Sequence, residues 1–333
     1  MKGRAGMLSA VVALRYVKIF RKTQSQGGNP MKVLICDKVP KDAIEKMRAA
    51  GITVDDKAGI TPEDLLATVG GYEVAVVRSA TKFTAPVIEA GKSLKLVVRG
   101  GVGVDNIDVK TAEAKGIKVK NTPAASTESV AELAVGLMFA LLRKIAQADA
   151  SMKAGKWEKK AFEGNEMGGK TLGVIGIGRI GLATAKKAHL LGVKKVLAHD
   201  VLITKAPADF VTMTDLDTLL KESDILTLHI PLDKAKGATL GAREFGLMKP
   251  GVLLVNCARG GVVDEKALLE ALNAGKVAGA AVDVWTKEPT DNPDLPKHPA
   301  VIALPHVGAS TKEGQGRVGG EVADIVIAFA KGK

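Results

Sequence analysis

The chain has 333 residues, 46% of them hydrophobic, 37 of them glycine and only 3% aromatic, with 48 Lys and Arg against 36 Asp and Glu for a formal charge of +12. Hydrophobicity at this level excludes intrinsic disorder and supplies enough apolar material for two domains. The two cysteines, Cys36 and Cys257, lie far apart and lack the CxxC or Cys/His spacing of a zinc site. They exclude a disulfide scaffold and point to buried thiols in a reducing, cytoplasmic compartment, with no metal.

Half of the surplus charge is concentrated in residues 1–30, which hold Lys2, Arg4, Arg15, Lys18, Arg21 and Lys22 and no acid. The apolar stretch Met7–Leu14 is too short to span a bilayer and leads into more cations, not a small-residue cleavage site. The segment therefore reads as a dispensable basic extension, with organelle targeting as the lesser alternative and no stable membrane association. Gln26–Pro30 is a turn-rich junction, and Met31 is a candidate start for the folded part.

From Met31 onward, short Val- and Ile-rich runs alternate with helix-length segments, the pattern of parallel sheets built from βαβ units. The expected fold is α/β: two Rossmann-like, doubly wound parallel-sheet domains with a cleft between them. The first series has strands expected at Lys32–Cys36, Glu73–Val77, Leu94–Val98 and Ile117–Val119, with helices at Lys41–Ala50 and Pro62–Val69. One long helix is expected over Ser126–Ala150, with Ser126 to Ser129 supplying its N-cap. The second series has strands at Thr171–Ile175, Lys195–His199, Ile225–His229, Val252–Asn256, Gly279–Asp283 and Val301–Leu304. Helices are expected at Arg179–Leu191, at Glu265–Ala274 and at Lys312–Ala330, the last returning to cover the first sheet.

Gly176-Ile177-Gly178-Arg179-Ile180-Gly181 follows the apolar run Leu172–Ile175 and opens a helix, the context in which GxGxxG binds a dinucleotide. Gly176 permits the tight turn, Gly178 lets a pyrophosphate approach the backbone, and Gly181 lets helix and strand pack closely. The helix N-terminus offers free amides and a positive dipole end. Asp200, ending the next apolar run, accepts from ribose hydroxyls and repels a 2′-phosphate, so NAD is expected over NADP.

Three charged residues stand beyond later strands, where open α/β sheets bind ligands: Arg259 before Gly260-Gly261, Glu288 before Pro289, and His306 after Pro305. Oxidising an alcohol by hydride transfer requires a base for the hydroxyl proton, a role suited to His306 with Glu288 orienting its ring. The planar fork of Arg259 suits a substrate carboxylate. Each of these residues also has a plain structural reading, as a loop or capping residue. His189, His199, His229 and His298 lack such a context and read as structural. Without zinc spacing or an aromatic-rich basic motif, no nucleic-acid partner is expected.

These segments resemble the D-isomer-specific 2-hydroxyacid dehydrogenase family, and within it the 3-phosphoglycerate dehydrogenase branch. The resemblance runs from Lys32 to Asp324 through Arg78–Lys82, Gly103–Asn106, Asn121–Pro123, Gly176–Gly181, Asn256–Gly261, Asp283, Glu288-Pro289 and His306–Thr311. It implies a discontinuous substrate-binding domain, residues 31–125 plus 308–333, and an NAD-binding domain over 126–307. It also implies that Arg259, Glu288 and His306 are catalytic and that Arg78, Ser79, Arg99, Gly101 and Val102 hold a small anionic substrate. The implied NAD contacts are Gly176, Gly178, Arg179, Ile180 and Gly181 at the pyrophosphate and Asp200 at the ribose. Cys257 and Arg259 fall near the nicotinamide and Asp283 at its carboxamide, with Gly308 and Ala309 also in the set. The implied activity is oxidation of 3-phosphoglycerate to 3-phosphohydroxypyruvate, which opens serine synthesis. The alternatives are another D-2-hydroxyacid dehydrogenase, such as a hydroxypyruvate or glyoxylate reductase, and an NAD-sensing, corepressor-like interaction protein. A homodimer or homotetramer is implied, with 126–150 as a contact surface. Val102 and Ile230 stand where threonine is frequent, and a serine-binding regulatory domain is not expected beyond the core.

Overall fold

The computed structural model describes residues 30–332, so the basic extension lies outside the described residues apart from Pro30. Two all-parallel sheets form. The first contains β1 (Lys32–Ile35), β2 (Thr53–Asp56), β3 (Val74–Val77), β4 (Leu96–Arg99) and β5 (Lys118–Asn121), in the order β2-β1-β3-β4-β5. The second contains β6 (Thr171–Ile175), β7 (Lys195–His199), β8 (Val211–Met213), β9 (Ile225–Leu228), β10 (Val252–Asn256), β11 (Val277–Val282) and β12 (Val301–Ala303). Its order is β12-β11-β10-β9-β6-β7-β8. Central strands such as β3 and β9 are buried along their whole length, as strands covered by helices on both faces must be.

Strand order reverses once in each sheet, between β1 and β3 and between β6 and β9. Ligands of open sheets bind in the crevice beyond the carboxyl ends at such points. The residues leaving those ends are Cys36-Asp37 and Arg78 in the first sheet, and Gly176 and His229 in the second. Chain topology alone thus places Arg78 and the Gly-rich turn at the two binding crevices.

The helix Lys312–Ala330 returns to the first sheet as expected. Val318, Val322 and Val326, spaced to share one helix face, join the cluster formed by Val33, Ile35, Met47 and Val98. Each buried valine contributes about 1.5 kcal/mol or more. Gly319 lets this helix close on the helix Lys41–Ala49, because a methyl group there would stand 2.9 Å from Pro40 Cγ.

Two expectations need correction. The stretch 126–150 is two helices, Thr127–Leu142 and Ile145–Lys153, broken at Arg143-Lys144, where Lys144 is left-handed at φ +51°. The cause is remote: the Asn165 amide takes the Leu142 carbonyl at 2.9 Å, and Gly164 presses on the same oxygen. Ser126 also makes no capping bond; instead Ser129 Oγ lies 2.7 Å from Thr311 Oγ1. The first of these helices packs on the second sheet through Val130, Ala134, Leu137, Met138 and Leu141. Among the described residues, no helix is long and apolar enough to cross a membrane.

Candidate functional site

Each motif glycine in the turn after β6 does what its position demanded. Gly176 is left-handed at φ +90°, and a Cβ there would stand 2.6 Å from the His229 carbonyl oxygen. A Cβ on Gly181 would come within 2.0 Å of the Gly176 oxygen, so only glycine lets the helix Arg179–Leu190 sit on the turn. Gly178, by contrast, faces open space, with nothing within 4 Å of a Cβ. No side chain caps this helix, which leaves its first-turn amides, at Arg179, Ile180 and Gly181, available to an anion. Asp200 accepts from the Ile177 amide at 2.9 Å and from the Leu202 and Ile203 amides at 2.8 and 3.0 Å, tying the end of β7 to the turn. A bare glycine face, an uncapped helix end and a carboxylate beside them fit a dinucleotide.

Two of the three charged candidates pair directly, and all three leave neighbouring strands of the second sheet. His306 Nδ1 lies 2.8 Å from Glu288 Oε2, and Glu288 Oε1 accepts from the Trp285 amide at 3.1 Å. With Nδ1 given to the carboxylate, Nε2 is the ring nitrogen left for a substrate proton. His306 is left-handed at φ +56°, a conformation costing about 1 kcal/mol or more in a non-glycine residue unless its surroundings impose it. They do so through Asp283, whose two oxygens accept from the Val307 and Gly308 amides at 2.8 Å each. Asp283 has no solvent exposure, and burial pushes its carboxyl above the ordinary range while the two amide bonds pull it down. Its carboxylate faces this loop and not the open cleft, so its bearing on a cofactor is through the loop.

Arg259 leaves β10 on a turn shaped by Asn256, whose Oδ1 accepts from the Ala258 amide at 3.1 Å. Its Nε donates to Asp105 Oδ2 at 3.1 Å and its Nη1 to the Ala258 carbonyl at 2.7 Å. Gly260 then presses on the Trp285 carbonyl, where a Cβ would stand 1.8 Å from the oxygen, so the Arg259 and Glu288 loops pack directly together. Cys257 is buried beside them, and burial raises its thiol pKa well above the ordinary range, which makes it inert.

Arg78 and Arg99 complete a cluster of guanidiniums. Arg99 folds against Gly101, and Arg259 against Gly103; in both places a Cβ would collide with the guanidinium. Burial, then the charges of Arg259 and Arg78, push Arg99 down to about 10, although Asp105 and Asp37 oppose them. Its Nε is buried with no hydrogen-bond partner among the described residues. Three cations held together against their own repulsion favour an anion between them. Val102 offers its carbonyl to Asn121 Nδ2, Gly101 accepts from the Thr122 amide at 3.0 Å, and Ser79 is exposed at the rim.

Several positioning groups carried no local sequence signal. Asp37 accepts from the Arg78 amide and from Thr81 Oγ1, at 2.5 and 2.7 Å, and Asn106 Nδ2 donates to the Arg78 carbonyl at 2.7 Å. Arg317 Nε donates to the Ala125 carbonyl at 2.8 Å, and Gln315 Nε2 to the Ala309 carbonyl at 2.8 Å. The other histidines make structural contacts. His189 stacks on Phe210 at 4.7 Å, His199 Nδ1 lies 3.2 Å from the Thr214 carbonyl, and His298 Nδ1 accepts from the Ala300 amide at 3.2 Å. His229 lies 3.0 Å from Thr227 Oγ1, and burial pushes it down to about 3, so it stays neutral.

Residues 135–308 match the family model described as D-isomer specific 2-hydroxyacid dehydrogenase, NAD binding domain. The chain is 49% identical over 306 residues to a D-3-phosphoglycerate dehydrogenase of Archaeoglobus fulgidus, an alignment covering 91% of this chain and 58% of that protein. It is 49% identical over 269 residues to a hydroxypyruvate reductase of Thermotoga maritima, covering 79% and 87% of the two chains. A solved D-lactate dehydrogenase from Aquifex aeolicus, complexed with NAD and lactic acid, superposes with a TM-score of 0.77 at 31% identity, covering 90% and 96%. The chain thus spans little more than half the length of the curated phosphoglycerate dehydrogenases it matches.

Proposed function

Because the chain belongs to the D-isomer specific 2-hydroxyacid dehydrogenase family, we propose that it oxidises 3-phosphoglycerate to 3-phosphohydroxypyruvate with NAD. The observation that carries this reading is the cluster of Arg78, Arg99 and Arg259 beside one His306–Glu288 pair. A phosphorylated hydroxy acid brings two anions, and the cluster holds more cations than a single carboxylate needs. When bound, NAD supplies the acceptor for the hydride leaving the substrate C2. His306 Nε2 takes the hydroxyl proton, and Glu288 balances the imidazolium that forms. Arg259 holds the carboxylate and polarises the C2 oxygen, while Arg78 and Arg99 receive the phosphate. The amides after Gly178 hold the pyrophosphate, Asp200 sets the preference for NAD, and Asp283 acts by fixing the loop that carries His306, Gly308 and Ala309. In this reading 31–125 and 308–333 form the substrate side and 126–307 the cofactor side.

Arg78→Ala tests the substrate. It is expected to cut kcat/KM for 3-phosphoglycerate about tenfold, the worth of one of the two cation contacts to the phosphate, and for unphosphorylated D-glycerate by less than about threefold. Equal losses on the two would instead favour the hydroxypyruvate reductase reading, to which the Thermotoga relative points.

A homo-oligomer is also proposed. Ile145, Met152 and Trp157 are exposed by 53, 55 and 81%, and a cavity of about 500 Å³ lined by Leu141, Phe162 and Pro250 opens nearby in the same domain. Light scattering reads the assembly directly, and a monomer would refute it. The free, buried Cys36 and Cys257 support a cytoplasmic location, which cell fractionation tests.

A further inference from the structure

We propose that Gln315 is a positioning residue that couples the Arg78 guanidinium to the loop carrying His306, an inference that rests on Arg78 being an anion-holding group. Gln315 lies in the first turn of the helix Lys312–Ala330, where that helix leaves the cleft. Its Oε1 accepts from Arg78 Nη1. Its Nε2 donates to the Ala309 carbonyl at 2.8 Å. Ala309 is three residues past His306 and adjoins Gly308, whose amide Asp283 holds. One side chain therefore spans from the binding crevice of the first sheet to the acid–base loop of the second.

A primary amide of this length does both tasks at neutral charge. The guanidinium has no acceptor and the carbonyl has no donor, so the amide must turn its oxygen to Arg78 and its nitrogen to Ala309. A glutamate would lose the donor and cancel the Arg78 charge; a lysine would lose the acceptor and repel the guanidinium. The Arg78 backbone is already fixed, its amide by Asp37 and its carbonyl by Asn106, so Gln315 aims only the guanidinium.

The helix itself does not depend on this amide. Thr311 Oγ1 caps it by accepting from the Gly314 amide at 2.9 Å, and Arg317 anchors it to the Ala125 carbonyl. An anion that settles on Arg78 is thereby linked through two hydrogen bonds to the loop that presents His306. The two bonds predict separable kinetic effects: selectivity for the phosphorylated substrate through Arg78, and kcat through the loop.

Gln315→Met keeps the length of the side chain but loses the amide, and Gln315→Glu keeps an acceptor but loses the donor and neutralises Arg78. Both are expected to raise KM for 3-phosphoglycerate about tenfold relative to D-glycerate, the first because Arg78 is no longer aimed and the second because a carboxylate competes with the phosphate for it. Both are expected to lower kcat several-fold on either substrate, roughly the worth of one neutral hydrogen bond. NAD affinity, measured by fluorescence titration, stays at the wild-type value. The inference is overturned if both variants keep the wild-type KM ratio and kcat per folded molecule, whatever happens to Tm. Should Gln315→Met fail to fold, Gln315→Glu decides. If wild-type protein ignores 3-phosphoglycerate but turns over another 2-hydroxy acid, the substrate reading fails, and the kcat effect on that acid still decides the role of Gln315.

Discussion

Replacing His306 with Asn is expected to lower kcat by about two to four orders of magnitude, the usual worth of a positioned general base, while NAD affinity is unchanged. Asparagine retains an amide to hydrogen-bond Glu288, so the loop held by Asp283 and Glu288 keeps its shape and the loss isolates proton transfer. Stopped-flow measurement of NADH formation, with NAD titrated separately, checks both points. A variant with near wild-type kcat would remove His306 from the chemistry, and if it also served the cell unchanged, the NAD-sensing alternative would gain.

Replacing Arg259 with Ala is expected to cost about 3 kcal/mol of transition-state stabilisation, roughly a hundredfold or more in kcat/KM. Two effects combine. The substrate carboxylate loses its fork, and Asp105, which receives the Arg259 Nε at 3.1 Å, is left facing the cleft as an unpaired anion. Lysine in this place is expected to recover little, because an ammonium does not pair with Asp105 and present a planar fork to substrate at once. Steady-state kinetics of both variants test this. If kcat/KM is unaffected in Arg259→Ala and only NAD affinity suffers, the residue belongs to the cofactor alone.

The parts of this site legible in sequence are those whose chemistry is local. Gly181 is required by a contact within its own strand–turn–helix, with the Gly176 carbonyl, and Gly176 takes the positive φ of the tight turn, so the GxGxxG spacing after an apolar run announced the turn. Arg259, Glu288 and His306 stood out because each follows a short apolar run that had to be a buried strand. Asp37 and Gln315 were silent, and Asp105 and Asn106 stood out only as part of a family string with no role attached, since their partners come from distant segments: Gln315 reaches Arg78 across 237 positions. The helix break at Arg143-Lys144 was hidden for the same reason, its stop imposed by the Asn165 amide and not by a local glycine or proline. Strands β2 and β8 escaped notice because neither Thr53–Asp56 nor Val211–Met213 contains an apolar run. Nothing in Thr53-Val54-Asp55-Asp56 reads as apolar enough to be buried. Elements that satisfy themselves locally write their pattern into the sequence, whereas those satisfied by remote partners do not.

A cleft that pairs one acid–base couple with a cation cluster is suited to a doubly anionic hydroxy acid. Initial rates of NADH formation with 3-phosphoglycerate and with D-glycerate measure that fit. The expected kcat/KM is about a hundredfold higher for the phosphorylated acid, the worth of two charge-assisted hydrogen bonds to the phosphate. Equal or better turnover of the unphosphorylated acid would refute the assignment.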